Sequence, residues 1–287
     1  MSRYLILFLM FFLSVSSAGY FGQNLDKIIV VDNVGRSILR IFTDCEYKLV
    51  LKNPKDKEVK INIVMIGNGF FAGEHGNRDI VVTADHLFLC RETVGELAAN
   101  GVLSEIDRSN GEDLTPENIV AIKDGKIDNI SGFNYEGGNV IDIKILFNTP
   151  PAKTITDPDR ALLEVIVPDD VSHMHLPLMN DKDFDATFYK ETIIGQEVVV
   201  RGYLLFGNGW FLRYRNALIE WIRPEIFQIN EVLDHGLSGG PVIFLNNGKI
   251  YAIGVVSFGP QQEKARIFDM SWVTIVKKSF LDKRNKK

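Results

Sequence analysis

Short apolar stretches that alternate with polar residues at a period of two run through most of this chain, and breaks rich in Gly, Asn, Asp and Pro separate them. That period matches a strand with one face buried and conflicts with the 3.6-residue period of a helix. Residues 37–42, 59–64, 140–147, 196–200, 248–257 and 273–276 read as strands in this way. The breaks lie at 53–56, 207–209 and 246–248, the last being Asn246-Asn-Gly248, a hairpin signal between two apolar runs. Many short strands with close turns predict an all-β barrel or sandwich. Helix is expected only near residues 93–100 and at the basic C-terminus, 279–286. Gly67-Asn-Gly-Phe-Phe-Ala-Gly73 lacks the spacing and the following helix of a dinucleotide motif, so it reads as strand–turn–strand. Residues 169–190, rich in Asp and carrying Pro177, read as a linker between two halves.

The 287 residues are 46% hydrophobic and 24% charged, ordinary globular values that suit one large domain or two small ones. The net charge of −5 is spread without a basic block, which argues against a nucleic-acid partner. Arg3, the apolar run 4–13 and the small residues Ser16 and Ala18 have the form of a secretory signal peptide over residues 1–18. The run is short for a bilayer span, so stable membrane insertion is not expected; an uncleaved anchor is the alternative reading. A secreted or periplasmic location follows. Cys45 and Cys90 would share that oxidising compartment, and either a disulfide or two buried thiols is consistent with their positions. No motif calls for a cofactor or a metal. His173-Met-His175 would put two imidazoles on one face of an extended segment, but without further ligands it reads as a loop.

Chemistry concentrates in three places. Gly236-Leu-Ser-Gly-Gly-Pro241 surrounds a hydroxyl with glycines that permit a sharp turn and close substrate approach. A serine attacks only when a base takes its proton and backbone N–H groups face the developing oxyanion. Ser238 is the candidate nucleophile, with the Gly236 and Ser238 N–H groups as the oxyanion hole. The base is found in Ile80-Val-Val-Thr-Ala-Asp-His86, where an apolar strand delivers His86. A carboxylate must then hold the imidazole tautomer. Asp159, leading into Arg160-Ala-Leu-Leu163, is preferred over Asp142 in Val140-Ile-Asp-Ile143.

Thr83-Ala-Asp-His86, Asp157-Pro-Asp-Arg-Ala-Leu-Leu163 and Gly236-Leu-Ser-Gly-Gly-Pro241 together resemble the three triad motifs of chymotrypsin-type serine peptidases, in that family's order. The bacterial branch with high-temperature-requirement proteases and glutamyl endopeptidases is the most similar. The resemblance implies two antiparallel β-barrels, a C-terminal helix and an active site in the inter-barrel cleft. Residues 19–178 would form the first barrel, and residues 179–287 the second barrel with the helix. It also implies a polypeptide substrate paired to the strand Ser257-Phe258-Gly259, and a specificity pocket based near Val232. Valine there, and Val256 where glutamyl endopeptidases have histidine, point to small or medium aliphatic residues before the cleaved bond. Three departures stand out. Leu237 replaces the aspartate that pairs with a new N-terminus in digestive enzymes. Asp85 brings a carboxylate beside His86, where it would favour the imidazolium. The gap between His86 and Asp159 is long, so residues 90–117 look inserted.

The competing reading is a protease-like binding or regulatory protein without catalysis. Esterase chemistry on an α/β-hydrolase fold is disfavoured, because that fold places its histidine after the nucleophile and none follows Ser238 here.

Overall fold

The computed structural model describes residues 34–53, 55, 57–90, 103, 114–134, 138–149, 157–189, 193–206, 209–234, 236–246, 248–258 and 271–285. Within them, strands close into two antiparallel barrels. The first contains β1 (Ile38–Leu51), β2 (Glu58–His75), β3 (Arg78–Thr83), β4 (Ile119–Phe133), β5 (Asn139–Asn148) and β6 (Ala161–Ile166), in the order β1-β2-β3-β6-β5-β4. The second contains β7 (Glu197–Phe206), β8 (Gly209–Ile222), β9 (Ile226–Ile229), β10 (Pro241–Asn246), β11 (Lys249–Phe258) and β12 (Ser271–Ile275), in the order β10-β11-β12-β9-β8-β7. The hairpin expected at 246–248 pairs Asn246 with Lys249, and the break at 207–209 is also a hairpin, pairing Phe206 with Gly209.

Period-two burial builds each barrel interior. In β1 the inward face carries Leu39, Ile41, Cys45, Tyr47 and Leu49, all essentially inaccessible. β1, β2 and β4 run 14, 18 and 15 residues, far beyond the usual five or six, and extend past the barrel as a three-stranded projection. A separate apolar cluster fills this projection, with Tyr47, Leu49, Ile61, Leu114 and the Cys45–Cys90 disulfide among its members. The two Cα atoms lie 5.5 Å apart, and the bond closes a loop of sequence separation 45. Such a cross-link is worth about 4 kcal/mol in the chain-entropy picture. The sequence left the choice between thiols and disulfide open because Cys45 in β1 and Cys90 beyond the 3₁₀ turn are brought together only by the tertiary fold.

A further cluster lies between the barrels. It joins Phe70, Ile80, Val82 and Leu162 of the first to Ile243, Ala252 and Val255 of the second, with Leu176 and Leu178 of the connecting segment. That segment departs from a plain linker. Residues 169–190 contain helix α1 (Asp181–Phe188), whose first turn is capped by Asn180 Oδ1 accepting from the Asp183 N–H at 2.9 Å. Phe184 and Phe188, four apart, stack at 4.2 Å and sink into the core of the second barrel. Eight residues are too few for a visible period; only the Asn cap and the two Phe residues announced the helix. The C-terminal helix is a 3₁₀ helix, Lys278–Asn285. The helix expected at 93–100 lies outside the described residues, as does the expected signal at 1–18. Among the described residues no helix is long and apolar enough to cross a membrane.

One local expectation is corrected. Residues 67–73 contain no turn and lie inside β2; the turn follows at Gly76, with φ +67°. Gly67 and Gly69 are small because neighbours press on them. A Cβ at Gly67 would meet the Leu87 side chain and lie 2.9 Å from the Ser238 carbonyl oxygen. One at Gly69 would lie 2.7 Å from Val81 and 2.9 Å from Ile41.

Candidate active site

β3 is buried throughout its last five residues and ends at Thr83. Ala84 is extended, and a 3₁₀ turn, Asp85–Phe88, then projects His86 while burying Leu87 and Phe88 beneath it. Asp159, on the approach to β6, meets His86 at two points. The His86 backbone N–H donates to Oδ1 at 2.9 Å, and ring Nδ1 lies 2.7 Å from Oδ2. A carboxylate only accepts, so Nδ1 carries the proton and Nε2 keeps its lone pair. Asp159 is 2% exposed, while the imidazole is 23% exposed. The carboxylate is thus walled off and the ring reaches solvent.

The second barrel holds Asp159 in place. Its N–H donates to Thr274 Oγ1 on β12 at 3.0 Å. Its neighbour Arg160 donates to the Ile275 carbonyl and pairs with Glu225 at 2.5 Å. Asp142, the competing candidate, has φ +52°, lies in β5 and pairs with Arg78 at 2.7 Å, with its side chain 56% exposed. The structure brings Asp159 to His86 and engages Asp142 elsewhere. Asp85 is buried, at 1% exposure.

The loop carrying Ser238 rests on the edge of the first barrel. Gly236 and Gly239 have φ of +97° and +78°, which a side chain would resist. A Cβ at Gly239 would collide with the Asn68 carbonyl and the Thr83 hydroxyl. The Asn68 N–H donates to the Ser238 carbonyl at 2.7 Å. The Ser238 loop is therefore docked against Asn68 of β2 and Thr83, the end of β3 three residues before His86. Among the described residues, the N–H groups of Leu237, Gly239 and Gly240 donate to backbone carbonyls, whereas those of Gly236 and Ser238 do not. The latter two are the donors expected for an oxyanion.

Asn68 was not singled out by sequence, yet it is the hub of this contact. It is fully buried. Its Nδ2 donates to the carbonyls of Gly236 at 2.6 Å and Tyr203 at 3.2 Å, and its Oδ1 accepts from the Tyr203 N–H at 2.7 Å. Its own carbonyl accepts from Thr83 Oγ1 at 2.6 Å. The signal lay in Gly67-Asn68-Gly69, where an amide between two glycines has room for close backbone neighbours. Leu237 is 1% exposed and sits in the core of the second barrel, so apolar burial anchors the loop where an aspartate would need a charged partner.

The other expected positions are less tightly gathered. Ser257 is buried, with its hydroxyl 3.3 Å from the Trp272 carbonyl, and the Phe258 backbone pairs with Trp272 at the end of β11. Val232 lies between β9 and the Ser238 loop and is 38% exposed. Gly259 lies outside the described residues.

No protein-family model matches this chain, and no curated protein matches it. Among solved structures it is similar to a thermostable serine protease, AL20, from an extremophilic microorganism. The TM-score is 0.50 at 12% sequence identity, covering 88% of this chain and 96% of that one. At that identity the likeness establishes the fold alone: a chymotrypsin-like pair of β-barrels.

Proposed function

We propose that the protein is a secreted or periplasmic serine endopeptidase, with Ser238 as nucleophile, His86 as general base and Asp159 as the group that orients the imidazole. One observation carries this reading: Asp159 grips His86 at two points, which fixes Nδ1 as the donor and Nε2 as the basic nitrogen of the neutral ring. His86 Nε2 takes the Ser238 proton as Oγ attacks the scissile carbonyl. The N–H groups of Gly236 and Ser238 stabilise the oxyanion, and the imidazolium protonates the leaving amine. Water then releases the acyl group by the same steps in reverse. An extended polypeptide pairs with the Ser257–Phe258–Gly259 strand, and Val232 supports a preference for small or medium aliphatic residues before the cleaved bond.

The test is covalent labelling of the purified protein by a fluorophosphonate probe, beside Ser238→Ala. Labelling of the wild type alone supports the enzyme. Absence of labelling in folded wild-type protein favours a protease-like binding protein.

A further inference from the structure

A second set of histidines lies on the connecting segment, away from His86. His173 and His175, two apart in extended chain, both aim Nε2 at one oxygen of Asp79, the second residue of β3. The distances to Asp79 Oδ1 are 2.9 Å from His173 and 2.6 Å from His175. The rings sit 5.4 Å apart at 82°, and the His173 ring packs 4.8 Å from Phe71.

The outer nitrogens make this arrangement informative. His173 Nδ1 lies 3.3 Å from the Val171 carbonyl, and His175 Nδ1 lies 3.5 Å from Glu74 Oε1. Each imidazole therefore faces an oxygen acceptor at both nitrogens. A neutral imidazole has one N–H and one lone pair, so each neutral ring would set a lone pair against an oxygen lone pair, a conflict that either a second proton or a metal cation resolves. A cation at the point where the two Nε2 atoms and Oδ1 converge removes both conflicts. Nδ1–H of His173 then donates to Val171, and Nδ1–H of His175 points to Glu74. That is the outer hydrogen-bonding pattern that orients metal-bound histidines.

We propose that Asp79 Oδ1, His173 Nε2 and His175 Nε2 form a binding site for one divalent zinc-class cation, which staples the inter-barrel segment to the first barrel. Two imidazoles and a carboxylate suit zinc, with water in the fourth position. Side-chain exposures of 23% for His173 and 28% for His175 give that water and the incoming ion a path. Asp79 is the buried anchor, at 11%. A tetrahedral site needs ligand atoms about 3.3 Å apart, so the Oδ1–Nε2 separations of 2.9 and 2.6 Å open by roughly half an ångström on binding, and all three ligand atoms already lie within 4.8 Å of one another. The stapled segment is already tied to both barrels: the Leu176 N–H donates to the Phe71 carbonyl at 2.7 Å, and the Ala252 N–H of β11 donates to the Pro177 carbonyl at 2.9 Å. The cation thus fixes chain that spans both barrels.

The experiment uses the purified protein stripped with EDTA and titrated with Zn²⁺ at pH 8, where free imidazole is neutral. One zinc per chain binds with a Kd in the micromolar range or below. At free zinc about 100-fold above the Kd, Tm rises by about 5–10 °C. His173→Gln and His175→Gln each weaken binding by at least about 100-fold, while His86→Ala binds as the wild type does. No uptake at 10 µM zinc, wild-type affinity in either Gln variant, or loss of binding in His86→Ala overturns the site. Should the Gln variants fail to fold, X-ray absorption of the zinc-loaded wild type decides. Two imidazole nitrogens at about 2.0–2.1 Å with an added oxygen support the site, and any shell lacking two imidazoles overturns it.

Discussion

The protein contains two histidine–aspartate clusters that use the same chemical parts for opposite ends. At His86 one carboxylate serves one imidazole: Asp159 gives one oxygen to the ring and the other to the backbone N–H of the same residue. At His173 and His175 two imidazoles share one oxygen of Asp79, and further acceptors face their outer nitrogens. In the first cluster one carboxylate fixes Nδ1 as the donor, so Nε2 is the basic nitrogen of the neutral ring, which is what a general base needs. In the second, acceptors outnumber donors, which is what a cation site needs. The balance of donors and acceptors around an imidazole, more than its nearness to a carboxylate, separates the two roles.

The sharpest way to break this comparison is at the proposed triad itself. Ser238→Ala and His86→Ala should each lower peptidase turnover by about 10⁶-fold with Tm unchanged, measured by steady-state kinetics beside thermal melts. Asp159→Asn should lower kcat by about 10⁴-fold, because the amide stabilises the wrong imidazole tautomer. Asp142→Asn and Asp79→Asn should leave kcat within about twofold. A crippling Asp142→Asn with a mild Asp159→Asn would reverse the assignment.

Asn68→Asp tests the oxyanion side with an isosteric change. The carboxylate can still accept from Tyr203 but cannot donate to the Gly236 carbonyl, and it repels that carbonyl. The expected result is a kcat lowered by about 10- to 100-fold with KM within about threefold, since the donors act mainly in the transition state. Equal loss in KM would reduce Asn68 to a packing role.

The smallest effect calibrates the rest. Asp181 resembles Asp159 in taking two hydrogen bonds from one residue, the Ser279 N–H at 3.1 Å and hydroxyl at 2.5 Å, with no imidazole involved. Burial opposes its ionisation, but the bonds from Ser279 outweigh this and hold its carboxyl below the ordinary aspartate value of 3.8. Its contribution is therefore present above about pH 4 and fades as the pH falls through the lowered folded value. Asp181→Asn should cost about 0.5–1 kcal/mol near pH 7 and flatten the acid limb of stability, with activity unchanged. A pH-independent difference between the two proteins would contradict this.

The clusters also differ in how far they could be read beforehand. His86 and Ser238 stand in local motifs whose composition is tied to the backbone they need: an apolar strand before the base, glycines of positive φ around the hydroxyl. Strand alternation likewise announced an all-β chain, because burial of one face per strand is a local property. Thr274 and Asp79 carried no such mark, and Asn68 only its two flanking glycines. Each acts through partners 94 to 168 positions away, as with Asp79 and His173, Asp159 and Thr274, or Asn68 and Gly236. Residues 67–73 were misread for the same reason: glycines needed for close packing look like glycines needed for a turn. The periodic pattern and the residue types around His86 and Ser238 were thus determined along the chain. Which carboxylate met which imidazole, whether Cys45 reached Cys90, and where the Ser238 loop came to rest were decided only when both barrels closed, because those contacts depend on the register of strands far apart in sequence.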